Sequence, residues 1–301
     1  MSNRAAAILV GILAFASSAL SAQEQSAERV AVSPSRPAPG SIVRLTLNAT
    51  IVRGDSIVAI RGELAGEPMH FREVQPNLWR AIGGVPVDAS GKVVGQVFAE
   101  RSSGISDTLA ISVTLPAPPV SRGKPRPRRL SVAPRFTQPP DSATEARVAR
   151  ENELAREVGR RAHETPRLWS APFVRPRPSS ITARFGSGRT FNRTLASRHL
   201  GIDFAGKVGA PVRAANRGVV ALVSDFFLAG NVVYIDHGGG VVTGYFHLSR
   251  ALVAEGDTVA RGQEIGLVGA TGRVTGPHLH WSARYGALTV NPLDLLTLNG
   301  W

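Results

Sequence analysis

Five of the chain's seven histidines fall between residues 198 and 281, and two short runs hold most of them: His199-Leu200-Gly201-Ile202-Asp203 and Pro277-His278-Leu279-His280-Trp281. One carboxylate and two neutral imidazoles make a mixed nitrogen and oxygen donor set whose borderline softness suits zinc. Three protein ligands leave the fourth tetrahedral position open, which is the arrangement of a catalytic site rather than a structural one. The chain has no cysteine, so the thiolates that close most structural zinc sites are missing. Zinc held in such a site lowers the pKa of a bound water to about 7. With His247, in Gly244-Tyr245-Phe246-His247-Leu248-Ser249, there are four histidines, more than a site with three protein ligands needs. Two unligated imidazoles alongside could act as a general base and as a hydrogen-bond donor to the anion formed when a carbonyl is attacked. The inventory points to hydrolysis, not metal storage.

The elements that position these groups follow from their spacing. Residues i and i+2 share a face on a strand but lie about 200° apart on a helix. Cooperation between His278 and His280 therefore requires a strand, and the alternation of Leu279, Trp281, Ala283 and Tyr285 with polar residues gives that strand an apolar back. His199 and Asp203 are four apart, a spacing that a helix or an extended segment would both align. Gly201 within the run, Gly206 just after it, and Ile202 and Phe204 sharing a face favour extended chain. Both runs are expected on neighbouring strands. Spacing does not choose between His278 and His280 as a ligand.

From about Pro176 to Leu296 the chain resembles the lysostaphin and LytM type of zinc metallopeptidase, family M23. The resemblance is carried by Ile181-Thr182-Ala183-Arg184-Phe185-Gly186, His199 to Asp203, Gly209-Ala210-Pro211-Val212, Gly230 to Gly238, Gly244 to Ser249 and Gly272 to Trp281, in that order. It implies one zinc ion per chain, held by His199, Asp203 and His280, with His247 and His278 as the catalytic pair. It implies a substrate as well: the short cross-linking peptides, or stem peptides, of bacterial peptidoglycan. No SH3-like wall-binding segment is evident after Asn291-Pro292, which turns the expectation from pentaglycine towards D,D-endopeptidase cleavage of stem-peptide cross-links. Some relatives have lost metal ligands and only activate wall amidases; a non-catalytic peptidoglycan-binding scaffold is the other alternative. All five positions are filled here.

The chain has 301 residues, 43% of them hydrophobic, enough for two domains with cores of their own. Arg4, the apolar run Ala5 to Phe15 and the small residues Ala16 to Ala22 have the layout of an export signal, residues 1–22, cut near Ala22-Gln23 or kept as an anchor. The expected location is the periplasm, the cell envelope or outside the cell, with no transmembrane segment once the signal is cut. Without cysteine there is neither a lipoprotein attachment site nor a disulfide. Loss of residues 1–22 removes one Arg and no acid, so 34 basic residues face 22 acidic ones, a net of +12. For an exported chain, that surface favours anionic envelope polymers and headgroups over nucleic acid.

The fold is expected to be mainly β. Residues 23–116 form an Ig-like β-sandwich: Ile42 to Leu47, Ile57 to Ile60, Leu78 to Ile82, Val93 to Ala99 and Leu109 to Leu115 are β-rich runs between turn signals. Residues 117–170 are a connector. Its first part, Ala117 to Pro140, is rich in Pro and Arg (Arg122, Lys124, Arg126, Arg128, Arg129) and reads as a stiff solvated spacer, with adhesion to anionic polymer as its functional alternative. Its second part should be a helix from a Ser142-Ala143-Thr144-Glu145 capping box to Ala162, with Val148, Leu154, Ala155 and Val158 as its apolar stripe. Residues 171–301 are the antiparallel metallopeptidase domain. Within it, Val253 to Gly269 also resembles a lipoyl or biotinyl hammerhead, but that needs a lysine at a hairpin tip. The only lysine after the connector is Lys207, beside the metal run. Asp236-His237-Gly238-Gly239-Gly240 reads as a hairpin turn, and His237, His70 and His163 as structural or exposed histidines.

Overall fold

The computed structural model describes residues 30–49, 54–117, 127–193 and 195–298. The signal-like segment 1–22 and the basic residues Arg122, Lys124 and Arg126 lie outside them.

The first eight strands are β1 (Val30–Ser33), β2 (Ile42–Asn48), β3 (Ile57–Leu64), β4 (Glu67–Met69), β5 (Arg72–Gln75), β6 (Leu78–Gly84), β7 (Lys92–Arg101) and β8 (Ser106–Thr114). They form two antiparallel four-stranded sheets, ordered β1-β2-β6-β5 and β4-β3-β7-β8. The period of two sends Val43, Leu45 and Leu47 to one side of β2, where they are fully buried against Leu64, Val97, Ile111 and Val113.

The chain then forms β9 (Arg128–Leu130), a 3₁₀ turn (Pro134–Phe136) and helix α1 (Ser142–Arg161). Residues 128–136 are docked structure, unlike the solvated spacer expected from their composition. β9 lies parallel to β11 (Gly188–Phe191), which forms a hairpin with β12 (Leu195–Arg198). The Asn192 side chain both donates to the Val132 carbonyl and accepts from its amide, each at 2.9 Å, and Val132 and Phe136 are buried against Phe191. Apolar anchors at Val132 and Phe136 supply the burial that the Pro/Arg composition conceals. α1 starts one residue earlier than the capping box implies. The Asp141 carboxylate, not the Ser142 hydroxyl, accepts from the Thr144 amide at 2.7 Å. The face that packs is Ala155, Val158 and Ala162, against Leu222, Phe226, Val232 and Tyr234, while Leu154 remains exposed.

The remaining strands are β10 (Ile181–Ala183), β13 (Ile202–Ala205), β14 (Pro211–Arg213), β15 (Gly218–Phe226), β16 (Gly230–Asp236), β17 (Val241–Ala251), β18 (Thr258–Val259), β19 (Glu264–Val268), β20 (His278–Tyr285) and β21 (Leu288–Val290), followed by the single turn α2 (Pro292–Leu295). All belong to one antiparallel sheet whose main path is β10-β13-β20-β17-β16-β15-β18; β21 pairs with β20, and β19 with β14 and β17. Val253 to Gly269 is thus woven into this sheet through β18 and β19. Ile202, Phe204, Tyr245, Leu279, Trp281 and Tyr285 are fully buried in its core. The first unit packs on this sheet: the Ile42 amide donates to Asp294 Oδ2 at 2.9 Å, the Tyr285 hydroxyl to the Pro68 carbonyl at 2.7 Å, and Ile42 and Ile82 join the larger core. No described helix is long and apolar enough to cross a membrane.

Candidate metal centre

β13 and β20 pair antiparallel with Asp203 directly opposite His280 and Ala205 opposite His278. Ile202, Phe204, Leu279 and Trp281 then fall on the core face, and Asp203, His278 and His280 on the other. His199 does not sit on β13; it lies in the connection from β12, turned back by Gly201. A Cβ at Gly201 would come within 2.4 Å of His280 Nε2 and 2.6 Å of the Trp281 carbonyl, so only glycine allows this close approach.

Three atoms converge. His199 Nε2, Asp203 Oδ1 and His280 Nδ1 are each 2.9 Å from the other two. Asp203 and His199 are buried, and the His280 side chain is 12% exposed. His199 donates its Nδ1 proton to the Arg184 carbonyl at 3.0 Å, which leaves a lone pair on Nε2. A carboxylate brings only lone pairs, so at least two of the three converging atoms are acceptors with no proton between them. A cation resolves this. Tetrahedral zinc, at its usual bond lengths, would hold three such ligands about 3.3 Å apart, a few tenths of an ångström wider than the triangle here. The donor set therefore fits a divalent metal of the zinc type.

Burial favours the neutral form of the His280 imidazole, as metal ligation requires. It pushes His280 down to about 4, against the opposing pull of its hydrogen bond to Asp203. Burial alone would raise the Asp203 carboxyl, but its bonds with His199 and His280 hold it far below the usual carboxylate range.

His247 and His278 flank the triad. β17 carries an extra residue against β16 between Tyr245 and Leu248, a bulge that re-aims a side chain, and His247 there has φ 62°. Its Nδ1 donates to the Thr271 carbonyl at 2.8 Å, and His278 Nδ1 donates to Gly276 in the same way. Each ring is thus left with Nε2 for chemistry. The two ring centroids are 4.9 Å apart, and His278 Nε2 is 3.7 Å from Asp203 Oδ1. Burial, then the neighbouring His278 and His280, hold His247 well below its ordinary pKa. Phe246 stacks on His280 at 5.2 Å between centroids. A groove of about 560 Å³ runs from His280 and Phe246 past Leu200 to Val87 and Asp88 of the first unit.

Arg189 is the functional residue that sequence reasoning misses. On β11, its guanidinium donates to Asp203 Oδ2 at 2.5 Å, which leaves Oδ1 for the triad and fixes the carboxylate plane. Only the Gly186 and Gly188 turn signals stand near it in sequence, and they do not reveal where the hairpin folds. Loss of an outer partner of this kind typically costs ~10–100-fold in metal affinity. Arg189→Gln should weaken zinc binding by that much in a chelator competition titration while leaving the secondary structure unchanged; wild-type affinity would remove Arg189 from the site.

The other histidines are structural. His237 is fully buried, its Nδ1 on the Arg217 carbonyl and its Nε2 on the Thr243 hydroxyl, both at 2.8 Å. His70 and His163 bond each other at 2.8 Å, and His163 reaches Glu67 at 2.9 Å where the two units meet. Burial pushes His237 down to about 4 despite the Arg217 carbonyl. Its folded-state pKa is below the unfolded value near 6.5, so the unfolded chain binds the proton more readily between the two. Its contribution is complete above pH 6.5 and lost as pH falls towards 4, roughly 3 kcal/mol in all. Thermal unfolding of the zinc-loaded protein between pH 7 and 4 should fall more steeply for wild type than for His237→Gln; parallel curves would contradict this.

Residues 197–292 match the profile of peptidase family M23. The peptidoglycan DD-endopeptidase ShyA of Vibrio cholerae is 53% identical over 83 residues, 28% of this chain and 19% of that protein. The DD-carboxypeptidase/endopeptidase Mpg of Neisseria meningitidis is 48% identical over 97 residues, 32% of this chain and 22% of that one. The chain thus spans about a fifth of the length of these curated relatives. A crystal structure assigned to peptidase M23 from Pseudomonas aeruginosa superposes with a TM-score of 0.62 at 26% identity, covering 87% of this chain and 95% of that one.

Proposed function

We propose that this chain, whose residues 197–292 match the profile of peptidase family M23, is a member of that family and a zinc-dependent endopeptidase that hydrolyses peptide cross-links of bacterial peptidoglycan. The observation that carries the reading is the 2.9 Å triangle of His199 Nε2, Asp203 Oδ1 and His280 Nδ1 with two further imidazoles beside it. The D,D-endopeptidase bond type is taken from the names of the Vibrio and Neisseria relatives. Residues 1–22 serve as an export signal, which places the activity in the periplasm or envelope; residues 23–116 form a sandwich domain, 117–170 the connector and 171–301 the catalytic domain.

His199, Asp203 and His280 would hold the zinc ion, which when bound supplies Lewis acidity and an activated water. His247, kept neutral by burial with its Nδ1 proton committed to Thr271, offers Nε2 as the base that takes a proton from the attacking water. The proton that His247 takes would then pass to the leaving amine, while His278, with Nε2 facing the Asp203 carboxylate, would in its protonated form hydrogen-bond the oxyanion. An extended peptide would lie in the groove past Leu200. Purified sacculi incubated with the full chain should release muropeptides; a chelator should stop the release and added zinc restore it. Intact sacculi in all three arms would overturn the assignment.

A further inference from the structure

The triad opens into a second cavity, a cleft of about 280 Å³ shared by Asp203, His247 and His278 with three arginines, Arg128, Arg189 and Arg273. Asp203 is the only carboxylate on its described walls, and that one is already engaged by Arg189 and the two ligand histidines. Arg273 lies 4.3 Å above the Phe191 ring and has no carboxylate partner among the described residues. Among the described residues, Arg128 hydrogen-bonds only the Thr182 carbonyl, at 3.2 Å. The parallel pairing of β9 with β11 sets Arg128 beside Arg189, although like charges directly opposite each other destabilise a sheet. Burial and the neighbouring Arg189 guanidinium both act against the charge on Arg273. Sheet pairing that holds like charges together at the edge of a reaction centre is relieved by an anion. A guanidinium's planar fork matches a carboxylate.

We propose that this cleft binds a free carboxylate of the substrate peptide next to the scissile bond, with Arg273 and Arg128 as the residues that determine this specificity. The substrate class is therefore an anionic peptide, and amidation of that carboxyl would protect it. The placement of the peptide rests on the endopeptidase reading, but the preference for the anion can be measured without turnover.

The probe is a synthetic peptide in which the D-alanyl amide is replaced by a methyleneamine, carrying a free carboxyl on the adjacent residue, and the same peptide with that carboxyl as a primary amide. Calorimetry on the zinc-loaded full chain should give at least about tenfold tighter binding of the acid than of the amide, a fair allowance for one charge-assisted pair. The ratio should collapse in Arg273→Gln and fall in Arg128→Gln, with Arg273→Lys recovering part of it. On the cleavable acid peptide these variants should raise KM more than they lower kcat. Equal binding of acid and amide by wild type overturns the proposal, whether or not the variants fold. A ratio that survives in Arg273→Gln means that the metal reads the carboxyl, and overturns it too. Displacement of the acid peptide by an equal concentration of inorganic phosphate marks a general anion site and overturns the carboxylate assignment. Failure to cleave any peptide would sink the endopeptidase reading, while the acid-to-amide ratio would still decide this one.

Discussion

Asp203→Ala should yield a protein that no longer retains zinc and no longer releases muropeptides from sacculi. Two losses combine. Oδ1 supplies one corner of the ligand triangle, and its removal must cost more than the ~10–100-fold expected for a mere outer partner. Oδ2 neutralises Arg189, whose side chain is only 14% exposed, and a buried charge that loses its partner destabilises by about 3 kcal/mol or more. The variant should therefore also unfold at lower temperature than His280→Ala, which removes a ligand but leaves the Arg189 pair intact. Elemental analysis of the purified protein checks the first point and calorimetric unfolding the second. Stoichiometric zinc in Asp203→Ala would end the proposed ligand assignment.

The second large effect is expected at His247, where metal and chemistry can be separated. A general base contributes about 10²–10⁴-fold in rate. His247→Asn should lose that factor in kcat with zinc content unchanged, because the His247 ring is not a corner of the triangle. Asn is preferred to Ala because residue 247 has a positive φ of 62°, a region that Asn tolerates and Ala enters only at a cost of about 1 kcal/mol. The substitution then tests the imidazole rather than the bulge. If kcat stays within a few-fold of wild type, His278 is acting alone and the base must be sought there.

Much of this site is legible in the sequence. The i, i+2 histidines and the Leu279 to Tyr285 alternation fix a strand with a polar face, and the Gly201-to-Phe204 pattern a second. What periodicity cannot supply is register. Asp203 stands opposite His280 rather than His278, and that pairing, with 2.9 Å against 3.7 Å to Asp203 Oδ1, separates the candidate ligand from its neighbour. The spacing to Asp203 puts His199 on a strand, whereas it lies in the connection between β12 and β13. The α1 boundary moved by one residue because Asp141, standing just before the expected box, caps with a carboxylate. Arg189 and Arg128 were invisible for a common reason: their roles depend on a parallel pairing between segments some 60 residues apart in register, Arg128 with Arg189, and no local pattern encodes it. The Pro/Arg composition around Arg128 pointed instead to a solvated tether.

The docking of residues 128–136 has a consequence for activation. A wall hydrolase kept dormant by its leading domain would be expected to gain activity when that domain is clipped away. Here, a fragment beginning near Pro172 would also lose β9 and with it Arg128, the Phe136 anchor beside Phe191, and the helix backing the sheet. Such trimming should blunt discrimination between acidic and amidated peptides whether or not it raises turnover.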